Sequence, residues 1–104
     1  MNLAMSYSSG RLMLYIGGEL DHHEAGKIIV SIGELIDEYI PRECVLDLSG
    51  LSFMDSSGIA VIINALRKMK TLGGELSIEN PPEQPKKVLS AAGIDRLVAV
   101  ASGR

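Results

Sequence analysis

The sequence predicts an α/β domain with a mixed, mostly parallel sheet packed with α-helices. Three features carry this: two long segments with apolar residues at helical spacing, short apolar runs of strand length between them, and links of a few residues. A chain of 104 residues, 46% hydrophobic and 22% charged, has the size and composition of one globular unit with one core. A single domain is therefore expected over residues 1–104, with its core between about 12 and 100.

Leu12, Leu14 and Ile16 alternate with Met13 and Tyr15 as far as Gly17-Gly18, the period-two pattern of a strand with two distinct faces. Residues 3–7, followed by Ser8-Ser9-Gly10, are expected to pair with it as an edge strand closed by a hairpin turn. Asp21 and Glu24 are spaced as a capping box. Beyond them Ala25, Ile28, Ile29, Ile32, Leu35, Ile36 and Tyr39 form one helical stripe. This helix should stop at Ile40, because Pro41 has no amide proton and disfavours helical geometry in the residue before it. Gly26 and Gly33 weaken it, each by up to ~1 kcal/mol relative to Ala.

Residues 44–48 read as a central buried strand. Ile59, Ile62, Ile63, Leu66 and Met69 then mark a second helix ending at Gly73-Gly74, with Asn64, Arg67, Lys68 and Thr71 on its opposite face. Arg67, Lys68 and Lys70 read as a solvated helix end. A strand over 75–78, a break at Asn80-Pro81-Pro82, a short helix carrying Val88, Leu89 and Ala92 up to Gly93, and a strand over 97–100 complete the chain. Met5, Met13, Met54 and Met69 read as core filler, Met54 being open also to an exposed role beside the serines.

Composition excludes several functions. Ten basic against thirteen acidic residues give a formal charge of −3, which supplies no attraction to a phosphate backbone, so no direct nucleic-acid partner is expected. The single Cys44 forms no internal disulfide and reads as a small buried hydrophobe in a cytoplasmic chain; no leader pattern opens the sequence. Apolar runs such as 59–63 fall well short of the ~20 residues that span a bilayer, so no membrane segment is expected. Zinc-ligand spacings and a lysine-bearing glycine loop are missing, and neither a metal nor a cofactor is expected.

The stretch 51–59 is the most informative, because Asp55-Ser56-Ser57-Gly58 places two hydroxyls where a helix follows a central strand. The plain reading is that Asp55, Ser56 or Ser57 caps the helix. Three sharper ones stand beside it: a phosphate site at the helix start, a serine nucleophile with His22 or His23 as base, and a serine that accepts a phosphoryl group. For Asp21 the plain reading is an N-cap, and for His22 and His23 solvated first-turn residues.

Gly18-Glu19-Leu20-Asp21-His22-His23 and Leu51-Ser52-Phe53-Met54-Asp55-Ser56-Ser57-Gly58, about thirty residues apart, resemble the two signature stretches of anti-sigma factor antagonists of the STAS domain family, closest to its sporulation members. The resemblance extends more loosely over 12–100, through Gly73-Gly74-Glu75 and Ala92-Gly93-Ile94. It implies a STAS-type fold and a binding protein without catalytic activity. Ser56 is then the residue phosphorylated by an anti-sigma factor that is also a serine kinase. The unphosphorylated form binds that kinase and releases the sigma factor, and a serine phosphatase restores it. Asp21, Asp55, Ser57, Gly58 and Asn64 are expected on the partner-facing surface, with Ser57 as helix cap and Asp55 shaping the loop. The phosphoryl group is expected to meet favourable amides at the helix start. Other readings are a STAS module of a stress-response circuit and a small phosphate- or nucleotide-binding domain. The free domain is expected to be a monomer. Family members carry a helix after the last strand that this chain is expected to lack, since it ends Ala101-Ser102-Gly103-Arg104.

Overall fold

The computed structural model describes residues 2–102. Two strands, β1 (Asn2–Ser8) and β2 (Arg11–Leu20), form an antiparallel hairpin across Ser9-Gly10, where both φ angles are positive, 51° and 83°. That is the two-residue turn whose twist matches the flanking strands. α1 (His22–Tyr39) follows, then β3 (Glu43–Asp47), β4 (Leu51–Met54), α2 (Ser57–Thr71), β5 (Glu75–Glu79), α3 (Glu83–Ala91), a 3-10 turn (Ile94–Arg96) and β6 (Ala99–Ala101). The sheet order is β1-β2-β3-β5-β6, parallel except for the hairpin, and β4 pairs with β2 alone. The α/β class and mixed, mostly parallel sheet stand as expected.

The strands depart from the sequence reading at two places. Gly17-Gly18 does not end β2, and residues 51–54, which that reading gave no element, form a strand. The two departures share a cause. Residues 11–15 of β2 pair with β3; the register then shifts between Gly18 and Glu19, and residues 18–20 pair with β4. A Cβ on Gly17 would lie 2.6 Å from the Asn2 Oδ1 and 3.4 Å from the Gly50 carbonyl oxygen, so the glycine admits a close approach. Gly18 N–H donates to the Gly50 carbonyl at 3.0 Å, fixing the handover between the two partner strands.

The last strand begins later than expected. Gly93, with φ 75°, stops α3, and Ile94 turns into the core at 1% exposure while Leu97 stays exposed. Whether a helix follows β6 lies outside the described residues, which stop before Gly103.

α1 and α2 cover one face of the sheet. Ile28, Ile32 and Ile36 of α1 and Val61, Ile62, Ala65 and Met69 of α2 enclose a core with Leu12, Leu14 and Ile16 of β2, Cys44 and Leu46 of β3, and Ile78 of β5. Burial pushes the Cys44 thiol up to about 12, which keeps it protonated and inert. Lys68 is not simply solvated: its Nζ lies 2.9 Å from Asp37 Oδ1, tying α2 to α1 in an exposed pair worth less than ~1 kcal/mol. Among the described residues no helix is long and apolar enough to cross a membrane.

α1 ends at Ile40 as expected, but in a strained way. Ile40 adopts φ 44° and ψ 58°, its N–H donating to the Ile36 carbonyl, with its side chain 64% exposed. A branched residue in this left-handed region costs roughly 1–2 kcal/mol, and little burial offsets it here. Ile40→Gly is therefore expected to raise stability by about 0.5–1 kcal/mol, after the added freedom of the unfolded chain. A urea midpoint at or below that of the parent would refute this.

Candidate functional site

Leu20 and Met54 are paired neighbours at the ends of β2 and β4, both fully buried. Asp21 and Asp55 follow them directly, and Asp55 N–H donates to the Leu20 carbonyl at 3.2 Å. The two sequence stretches singled out above thus meet at one edge. Asp21 caps α1, its Oδ1 accepting from Glu24 N–H at 3.1 Å, and is half-buried; His22 and His23 are exposed beside it.

The cap of α2 differs from expectation. Asp55 Oδ1 accepts from Ser57 N–H at 2.8 Å, so Asp55 caps the helix and Ser57 is its first residue. Ser56, at the N-cap position, adopts helical φ and ψ, and its hydroxyl makes no capping hydrogen bond. Its side chain is exposed and uncommitted. Gly58 N–H donates to the Asp55 carbonyl and Ile59 N–H to the Ser56 carbonyl. The amides of Ser57, Gly58 and Ile59 are therefore all engaged, and of the amides from Asp55 to Ile59 only that of Ser56 itself is left without an acceptor. The expectation that a phosphoryl group on Ser56 meets favourable amides is thereby narrowed to the N–H of Ser56 itself. Asp55→Ala is expected to cost about 1 kcal/mol by freeing the Ser57 amide. An unchanged thermal midpoint would show that the loop holds without the carboxylate.

Gly58 leaves the expected surface, since it is buried. A Cβ there would lie 2.5 Å from Met54 Cγ and 3.2 Å from Leu20 Cδ2, so this glycine serves close packing of α2 on the β2–β4 pair. Met54 is itself fully buried and makes no exposed contact. Asn64 is exposed, its Nδ2 donating to the Ala60 carbonyl at 2.8 Å. Ser56, Ala60, Asn64, Arg67 and Thr71 are all exposed and recur at helical spacing. They form one accessible stripe leading away from Ser56.

Two features of this edge were not foreseen. Gln84 of α3 grips β4 with both ends of its amide: Oε1 accepts from Met54 N–H and Nε2 donates to the Met54 carbonyl, each at 2.8 Å. It thereby takes the place of a neighbouring strand one residue before Asp55. Phe53 is 39% exposed on the same strand, two residues before Asp55.

Asp47 secures the turn that leads into β4. Its Oδ1 accepts from Ser49 N–H at 2.9 Å and Ser49 Oγ at 2.7 Å, and its Oδ2 from Asn80 Nδ2 at 3.1 Å. Burial raises its pKa, but the hydrogen bonds from Ser49 and Asn80 outweigh this and hold it below the usual carboxylate value. A carboxyl with a depressed folded pKa stabilises fully above its unfolded value, about 4, and loses that contribution as pH falls through the folded value. Stability should drop on acidification in this window, and Asp47→Asn should flatten the drop. Parallel urea midpoints for parent and variant down to strongly acid pH would contradict the assignment.

Likeness to known proteins decides the family. Residues 2–103 match the STAS domain family. The chain belongs to the STAS domain family. An anti-sigma F factor antagonist of Paenibacillus polymyxa is 30% identical over 102 residues, covering 96% of this chain and 86% of the relative. One from Lysinibacillus sphaericus is 31% identical over 83 residues, covering 80% of this chain and 71% of the relative. Among solved structures, the anti-sigma factor antagonist SpoIIAA in its unphosphorylated form has a TM-score of 0.85 at 23% identity, covering 99% of this chain and 89% of that one. The Bacillus cell fate determinant SpoIIAA in the phosphorylated form has a TM-score of 0.76 at 23% identity, covering 99% and 92%. At that identity the two structures establish the STAS fold.

Proposed function

We propose that this STAS domain antagonises an anti-sigma factor and that phosphorylation of Ser56 switches it off. The observation that carries the reading is the state of Ser56: exposed, at the start of α2, with a hydroxyl that caps nothing. A kinase can take this oxygen without breaking any bond the fold depends on. Phosphorylation adds roughly 1.5 to 2 negative charges. Asp55 already occupies the Ser57 amide, so the new charge stands beside a carboxylate and faces outward.

The unphosphorylated domain binds an anti-sigma factor that is also a serine kinase, through Asp21, Asp55, Ser57, Phe53 and the stripe from Ser56 to Asn64. Binding releases the sigma factor, and a serine phosphatase regenerates the binding form. The two anti-sigma F relatives favour a sporulation circuit. The domain acts in the cytoplasm as a binding module, and the phosphoryl chemistry belongs to its partners.

The test is intact-mass spectrometry with site mapping after incubation with ATP and the anti-sigma kinase of the same genome. One phosphoryl group on Ser56 is the expected result. An unmodified, folded protein with an active kinase would leave a phosphorylation-independent binding module.

A further inference from the structure

β1 forms one edge of the sheet, and only its inner side is paired. Ser8 and Arg11 flank a two-residue turn and so form a hydrogen-bonded pair. Alternation along the strand then turns the N–H and C=O groups of Ala4, Ser6 and Ser8 toward β2, and those of Leu3, Met5 and Tyr7 outward. Edge strands are commonly protected by lysine, proline, bulges or shortness. β1 has none of these: it runs seven residues as Asn-Leu-Ala-Met-Ser-Tyr-Ser, without charge or proline, and its register with β2 is unbroken. The opposite edge strand, β6, is three residues long.

We propose that β1 is a self-pairing edge, joining two copies of this chain antiparallel about a two-fold axis at Met5. The argument for a second copy is the strand's own symmetry. In this register Met5 meets Met5, Leu3 meets Tyr7, Ala4 meets Ser6 and Asn2 meets Ser8 of the second copy. Every outward N–H and C=O of Leu3, Met5 and Tyr7 finds its complement. On one side of the seam lies an apolar row in which Tyr7, 41% exposed and stacked 4.8 Å from Tyr39, covers Leu3 of the other copy. On the other side lie small and polar side chains, and no like charges oppose each other. Such a closed two-fold contact stops at a dimer. A seam one strand wide falls below the ~1,200 Å² of stable complexes, so the dimer forms reversibly as concentration rises.

Sedimentation equilibrium over rising concentration, combined with amide hydrogen exchange on the whole chain, tests this. The mass is expected to move from monomer toward dimer. The Leu3, Met5 and Tyr7 amides should gain protection with concentration, while those of Ala4 and Ser6, bonded to β2, stay protected throughout. Replacing the exposed pair, Ala4→Lys with Ser6→Lys, sets lysines against one another across the seam and should weaken association about tenfold or more while the thermal midpoint shows the domain folded. A monomer at every concentration, a dimer whose outward β1 amides exchange freely, or a dimer indifferent to the two lysines would each overturn the proposal. These readouts need neither kinase nor ATP, so they stand or fall apart from the role of Ser56.

Discussion

Ser56→Ala is expected to give a folded domain that binds the anti-sigma kinase as well as the parent does and accepts no phosphoryl group. The hydroxyl makes no capping bond, so its removal takes away the acceptor oxygen and nothing that holds the helix. Ser56→Asp should keep the fold but weaken kinase binding about tenfold, ~1.4 kcal/mol. Phosphorylation itself should weaken it about a hundredfold or more, ~3 kcal/mol, because a dianion carries more charge than a carboxylate. The cost arises at the interface. Ser57, Gly58 and Ile59 amides are already engaged, so the added charge finds little local compensation and must be desolvated against the partner beside the Asp55 carboxylate. Calorimetry with the kinase measures all three forms. Undiminished phosphorylation of Ser56→Ala would move the acceptor elsewhere, and equal affinities of the parent, the Ser56→Asp variant and the phosphorylated chain would sink the electrostatic account.

Much of this architecture was legible because it rests on local physics. α1 announces itself through the Asp21 cap, an isoleucine stripe and Pro41, and each feature acts within a few residues of its cause. β4 did not, since four residues buried only at the two ends carry no clear alternation, and the strand exists through its pairing with the far half of β2. Gly17-Gly18 looked like a stop because glycine is read by its freedom to turn; here Gly17 is used for the space it leaves between strands. At the candidate site, the positions of Asp21, Asp55 and Ser56 at the two helix starts were legible from their order. The division of labour among them was not, because Asp and Ser both satisfy a helix start and only geometry shows that Asp55 took the Ser57 amide. Gln84 left no local trace, lying 30 residues from the strand it grips.

Gly58 provides the largest expected effect on stability, and it links the packing to the candidate site. A Cβ at this position would come within 2.5 Å of Met54 Cγ, 2.8 Å of Met54 Sδ and 3.2 Å of Leu20 Cδ2, all in fully buried side chains. Gly58→Val must therefore lift α2 from the β2–β4 pair or drive Met54 off its rotamer. Overpacking of this kind costs about 1–3 kcal/mol, against a helix-propensity gain of only a few tenths. The net loss is expected near ~2 kcal/mol, a fall of roughly 8–15 °C in thermal midpoint for a domain of this size. Gly58→Ala should fall much less, since one methyl can be met by a swing of the flexible Met54 and gains up to ~1 kcal/mol of helix propensity. Because Met54 immediately precedes the Asp55-Ser56 turn, the displacement should also reach the site, lowering kinase affinity even in the folded fraction. Adding Met54→Ala to Gly58→Val supplies the missing space. A double-mutant cycle should then show the pair less destabilising than the sum of its parts, and strict additivity would mean that the contact does not limit the helix start.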